Sequence, residues 1–64
     1  MKFWVSRDLD GPLVLSDKLP YLPNKSYDFF CFDNGARLYF LDRNMFPEVT
    51  FENSPKEVEI KLVE

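Results

Sequence analysis

Histidine is absent from the 64-residue chain, cysteine occurs once and glycine only twice. Without histidine the chain lacks the side chain that most often serves as general base, metal ligand and pH switch. The single cysteine, Cys31, excludes an intramolecular disulfide and a zinc site made from cysteine and histidine. Gly11 and Gly35 are too far apart to build a glycine-rich phosphate loop. These absences predict a protein that is not an enzyme and uses no metal or other cofactor.

Long apolar runs and an excess of positive charge are also missing. No apolar run approaches the ~20 residues that span a bilayer, so we expect no membrane insertion. The first residues show no signal peptide and the single thiol has no partner, which together predict a cytoplasmic protein. The chain has 8 Lys and Arg against 11 Asp and Glu, for a net charge of -3. This acidic balance argues against nucleic acid as the partner, because a phosphate-binding surface is basic.

Short runs with a period of two, separated by turn residues, are the dominant pattern. No helical period of useful length is present. The pattern predicts one domain over residues 1–64 with an all-β fold. We expect five to six short antiparallel strands in a single curved sheet or a small barrel-like roll. The predicted strands are residues 2–6, 13–15, 27–33, 37–41, 48–51 and 57–63.

The centre of the chain carries the strongest hairpin signal. Asn34 and Gly35 are the favoured pair for a type I′ turn, and they lie between residues 27–33 and 37–41. Both predicted strands are apolar on both faces. The second face is therefore covered either within the chain or by another molecule. Which face points inward stays open, because a shift of one residue in register inverts it.

Alternation within these strands predicts the core, and Cys31 is expected to be a buried structural thiol between Phe30 and Phe32. The residues predicted to point inward are Phe3, Val5, Leu13, Leu15, Phe29, Cys31, Leu38, Phe40, Val49, Phe51, Val58, Ile60 and Leu62.

Aromatic residues exceed what a core of this size needs, since they make up 17% of the chain. Tryptophan, tyrosine and arginine are the residue types that most often anchor protein interfaces. Residues of these types that alternation does not require in the core form the predicted partner-binding site. They are Trp4, Arg7, Tyr27, Arg37, Tyr39 and Arg43.

Two segments resemble known sequences. Residues 3–11 (FWVSRDLDG) are similar to the start of small uncharacterised proteins of phages, prophages and other bacterial mobile elements. Residues 46–55 (FPEVTFENSP) and 57–60 (EVEI) resemble their C-terminal segment. The resemblance implies expression in a bacterial cytosol from a mobile element. Small proteins of this kind often act by binding a host protein.

These observations lead to a hypothesis and two alternatives. The hypothesis is a phage or mobile-element accessory protein that binds and inhibits a bacterial host protein, such as a component of a defence system. The first alternative is a self-associating structural module or minor virion component, which the doubly apolar hairpin favours. The second is a single-stranded nucleic-acid binder that stacks bases on aromatic side chains.

Overall fold

Four strands form one antiparallel sheet in the computed structural model, which describes residues 2–60. They are β1 (Lys2–Arg7), β2 (Leu13–Ser16), β3 (Leu38–Leu41) and β4 (Lys56–Glu59). Their order across the sheet is β3-β2-β1-β4. Because residues 2–60 contain no helix, the predicted all-β class is confirmed.

The β1–β2 hairpin follows the predicted pattern. Trp4 lies opposite Ser16 and Arg7 lies opposite Leu13. The connecting turn is closed by backbone hydrogen bonds from the amide of Gly11 to the carbonyl of Asp8, at 2.9 Å, and from Asp8 to Pro12. Gly11 has a φ of +108°, which an L side chain rarely adopts. Glycine at this position therefore lets the chain reverse direction between the two strands.

One face of the sheet carries the core. Val5 of β1 and Leu13 of β2 form a buried cluster with Val49, which lies in the connection between β3 and β4. That connection therefore covers this face. Partly buried apolar side chains pack around the cluster, namely Leu15, Leu41, Phe46 and Val58. On the opposite face Ser6, Val14 and Ser16 are buried.

The predicted central hairpin is wrong. Residues 27–33 form no strand, and β3 pairs with β2 so that Tyr39 lies opposite Leu15. A turn does form after residue 33, since the Ala36 amide donates to the Asp33 carbonyl and Gly35 has a φ of +92°. Asn34, however, does not have a positive φ. A type I′ turn needs positive φ at both central residues, whereas turns of types I and II splay the flanking segments.

Residues 21–31 form a loop instead, which we call the aromatic loop for its residues Tyr21, Tyr27, Phe29 and Phe30. Its ends are held by two backbone hydrogen bonds between Tyr21 and Cys31, at 2.8 and 3.0 Å. The predicted strand 48–51 is also absent, because the Val49 amide donates to the Phe46 carbonyl in a turn. The described residues thus contain four strands rather than five or six, in an open sheet with β3 and β4 at its edges. No barrel-like closure is present within them.

Alternation assigned part of the core correctly. Phe3, Val5, Leu13 and Val49 are buried as predicted. Within the predicted strand 27–33, the assignment is inverted: Phe30 is 6% exposed and Phe29 is 52% exposed. The predicted inward positions of Leu38, Phe40 and Ile60 are wrong, because their side chains are exposed. Cys31 was predicted to be buried and is half-buried. The position predicted for Leu62 lies outside the described residues.

Candidate protein-binding site

The predicted site residues lie in separate parts of the molecule. Trp4 is half-buried in the middle of β1, opposite Ser16 on one side and Glu57 on the other. Arg37 and Tyr39 are exposed beside and within β3, at one edge of the sheet. The structure therefore does not gather the six residues into one continuous surface, and each group has to be considered by its own contacts.

Arg7 is bound by the protein's own backbone. Its side chain extends from the end of β1, and its guanidinium donates all five of its N–H groups to main-chain carbonyls. The accepting oxygens belong to Val49, Gly11, Arg43, Met45 and Phe46, at donor–acceptor distances from 2.6 to 3.2 Å. With no donor left for a partner, Arg7 holds the two connecting loops against the sheet.

Arg43 reinforces the same junction. Its guanidinium donates to the carbonyl of Asp10 at 2.6 Å and lies directly over Gly11. A β-carbon at position 11 would collide with that guanidinium. Arg43 thus fastens the β1–β2 turn to the connection between β3 and β4. Both arginines of this junction make internal hydrogen bonds, although Arg43 is exposed, as Arg37 is.

Tyr27 belongs to the aromatic loop, the strongest candidate surface. Its ring makes an edge contact with the ring of Phe29, with the centroids 5.4 Å apart. The half-buried Tyr27 and the exposed Phe29 line an open hollow of about 320 Å³ together with Ser26 and Asp28. Tyr21, at the base of the loop, is 45% exposed. The loop therefore offers aromatic surface beside polar groups, as protein-binding sites do.

The aromatic loop is anchored at its base rather than free. The Phe30 ring is buried and packs against the ring of Phe51, with centroids 5.7 Å apart. The Phe30 amide donates to the Asp8 carboxylate at 2.9 Å, and the Leu9 amide donates to the Asp28 carbonyl at 2.8 Å. These contacts connect the loop to the β1–β2 turn and keep Phe29 directed towards solvent.

The tip of the aromatic loop is ordered by local hydrogen bonds. The Asn24 side-chain oxygen accepts from the Ser26 amide at 2.9 Å, and the Asn24 carbonyl accepts from the Tyr27 amide at 3.3 Å. An asparagine side chain that bonds the backbone two residues on is a common way to fix a tight turn. Ordering in the free state lowers the entropy cost when a partner binds.

Residues 2–60 contain no cluster of metal-binding side chains. These residues contain no group of three or more acidic or cysteine side chains placed to hold a metal ion. The Asp8 carboxylate accepts a backbone hydrogen bond, and Cys31 lies half-buried at the base of the aromatic loop. In the same part of the chain, no helix has the length and apolar character that crossing a membrane requires.

Comparison with known proteins gives one partial similarity. No family model matches the chain, and no solved structure matches it. The chain is 35% identical over 51 residues to an enzymatic polyprotein of Figwort mosaic virus (strain DxS). The match covers 78% of this chain and 8% of the polyprotein, so the chain spans only a small part of that relative's length.

Sequence reasoning named one residue of the aromatic loop and missed the others. Tyr27 was included in the predicted site, whereas Phe29 was assigned to the core and Tyr21 was not included. The prolines on either side of Tyr21 were the available signal for a loop, because proline disfavours sheet pairing. Phe29 carried no such signal, since its neighbours are all typical of a strand.

Proposed function

We propose that this chain is a non-catalytic accessory protein of a virus or other mobile element that binds a protein of its host cell and inhibits it. The observation that carries the proposal is the aromatic loop, an ordered surface with exposed aromatic side chains on an anchored base. The resemblance to phage and prophage proteins supports a bacterial host, with a defence component as the first candidate. The similarity to a viral polyprotein supports a viral or mobile-element origin.

Recognition would depend on Tyr21, Tyr27 and Phe29. Tyrosine and phenylalanine contribute large contact areas at a small cost in side-chain entropy, because each has only two rotatable side-chain bonds. Polar groups at the rim, the Asp28 carboxylate and the Lys25 amine, would set orientation. In this proposal inhibition is steric, with the ordered loop occupying a groove of the host protein that its own ligand needs.

A pull-down tests the proposal. The tagged chain is incubated with bacterial lysate, and the proteins that co-purify are identified by mass spectrometry. We expect one host protein at near-stoichiometric amount, and we expect Phe29→Ala to reduce its recovery at least tenfold, as for an interface anchor worth more than ~1.4 kcal/mol.

Met45→Ala is the matched control. Met45 is similarly exposed but lies in the connection between β3 and β4 rather than in the aromatic loop. We expect Met45→Ala to recover the host protein as the original chain does. The proposal would be contradicted if the original chain, Phe29→Ala and Met45→Ala all recovered the host protein equally, or if no host protein were captured.

A further inference from the structure

The two edges of the sheet differ sharply in chemistry. β4 has the sequence KEVE, so three of its four residues are charged, whereas β3 has the sequence LYFL and carries no charge. Phe40 is 79% exposed and Tyr39 is 48% exposed. Charged residues on an edge strand prevent pairing with another chain, and an uncharged apolar edge permits it. Of the two edges formed by residues 2–60, the β3 edge is therefore the one suited to accept a further strand.

The backbone of β3 presents a defined set of free groups. The Asp17 amide donates to the Arg37 carbonyl across the β2–β3 pair, so positions 17 and 37 form a hydrogen-bonded pair. In antiparallel pairing these pairs alternate with non-bonded pairs. Tyr39 thus bonds to β2, while the N–H and C=O groups of Leu38 and Phe40 point away from it. Within residues 2–60, no other strand pairs with this outer side of β3.

We propose that a second copy of this chain pairs with the β3 edge in an antiparallel, two-fold symmetric dimer. A two-fold axis at Tyr39 places Leu38 of each copy opposite Phe40 of the other. Both are residues whose backbone groups face outward, so each pair exchanges two hydrogen bonds. The two Tyr39 residues face each other as a non-bonded pair. The two four-stranded sheets then become one continuous sheet of eight strands.

Symmetry and charge favour the β3 strand of a second copy as the strand that pairs with the β3 edge. Pairing of β3 with the β4 edge of another copy would place Glu57 and Glu59 beside an apolar strand and would generate an open-ended chain. The symmetric β3 pair closes on itself and places only apolar and tyrosine side chains across the contact. At each end, Arg37 of one copy lies opposite Leu41 of the other and Asp42 lies opposite Ala36, so no two like charges face each other across the contact.

The dimer does not rest on the proposed binding of a host protein. β3 and the aromatic loop are different segments, and the substitutions that test one leave the other unchanged. Loss of the dimer with retained host-protein capture would refute only the dimer. A dimer that forms as proposed, together with no host-protein capture, would refute only the binding role of the aromatic loop.

Sedimentation equilibrium measures the association directly. We expect the original chain to show a reversible monomer–dimer equilibrium, and Phe40→Lys to weaken it at least tenfold, since the dimer contains the substitution twice. Met45→Lys adds the same charge away from β3 and should leave the equilibrium unchanged. A monomer at all concentrations up to ~1 mM, an open-ended series of oligomers, or an unaffected Phe40→Lys dimer would overturn the proposal.

Disulfide formation tests the register. In a Cys31→Ser background, Tyr39→Cys should form an intermolecular disulfide, because non-bonded antiparallel pairs bring the Cα atoms to about 4.5 Å. Leu38→Cys and Phe40→Cys should each fail to cross-link alone but should cross-link when mixed. A disulfide formed by Phe40→Cys alone would contradict the axis at Tyr39.

Discussion

Arg7 connects segments of the chain that are far apart in sequence. Its guanidinium reaches carbonyls of the β1–β2 turn and of the connection between β3 and β4. A planar guanidinium presents five donors in a fixed geometry, which a lysine amine cannot reproduce. In a domain without disulfides, the hydrogen bonds of this one side chain hold together segments that a larger core would otherwise pack together.

Substitution of Arg7 should therefore destabilise the fold. We expect Arg7→Lys to lower the free energy of unfolding by about 2 kcal/mol and Arg7→Ala by at least about 3 kcal/mol, because hydrogen bonds to charged groups contribute ~1.5–3 kcal/mol each. Urea unfolding measures both. The exposed Arg37 is the control, and Arg37→Ala should stay within about 0.5 kcal/mol. A similar small effect at both positions would contradict the role assigned to Arg7.

The two glycines offer a second comparison at this scale. Both have positive φ, so alanine at either position is strained. At Gly11 an added β-carbon would also collide with the Arg43 guanidinium, whereas space is open at Gly35. We expect Gly11→Ala to lower the free energy of unfolding by about 1 kcal/mol more than Gly35→Ala, measured by thermal or urea unfolding. Equal losses would show that the Arg43 contact contributes nothing.

Arg7 and Arg43 were placed in the predicted partner-binding site because arginine is common at interfaces. Their contacts are with backbone carbonyls, and the sequence does not reveal where carbonyls converge. Tyr27 was chosen for the site by its residue type and by alternation, and it lies half-buried in the aromatic loop.

Among the elements, β1 and β2 could be predicted because their alternation is local and a turn of Asp, Gly and Pro residues separates them. β3 was also located correctly, but its partner was not. Asn34 and Gly35 do form a turn, yet strand pairing depends on what else competes for the flanking residues. Here the Phe30 amide donates a hydrogen bond to the Asp8 carboxylate. The two residues are 22 positions apart, so no local sequence pattern predicts this contact.

The anchoring of the aromatic loop can be tested by its two neighbouring phenylalanines. Phe30→Ala removes a buried ring and should lower the free energy of unfolding by about 3 kcal/mol. Phe29→Ala removes an exposed ring and should cost less than about 0.5 kcal/mol. Chemical denaturation of both variants measures the difference. The opposite ranking would restore the alternation expected of a strand at residues 27–33.

For the molecule as a whole, small size explains why apolar side chains remain exposed. A chain near this length buries only ~60% of the surface it exposes when unfolded, so much apolar surface stays in contact with water. Part of it lies in the aromatic loop and in β3, which are different segments of the chain. The all-β class followed from composition and period. The placement of these two segments did not, because it depends on non-local packing of the segment between β2 and β3.

A competition assay tests the central claim, that the aromatic loop is the recognition surface for a host protein. Tagged chain captures the host protein while untagged competitor is added in increasing amounts. Untagged original chain and untagged Met45→Ala should displace the tagged chain from the host protein at equal concentrations. The Tyr27→Ala/Phe29→Ala variant, shown to be folded by circular dichroism, should need a concentration at least tenfold higher. Equal displacement by the folded double variant would place recognition elsewhere on the molecule.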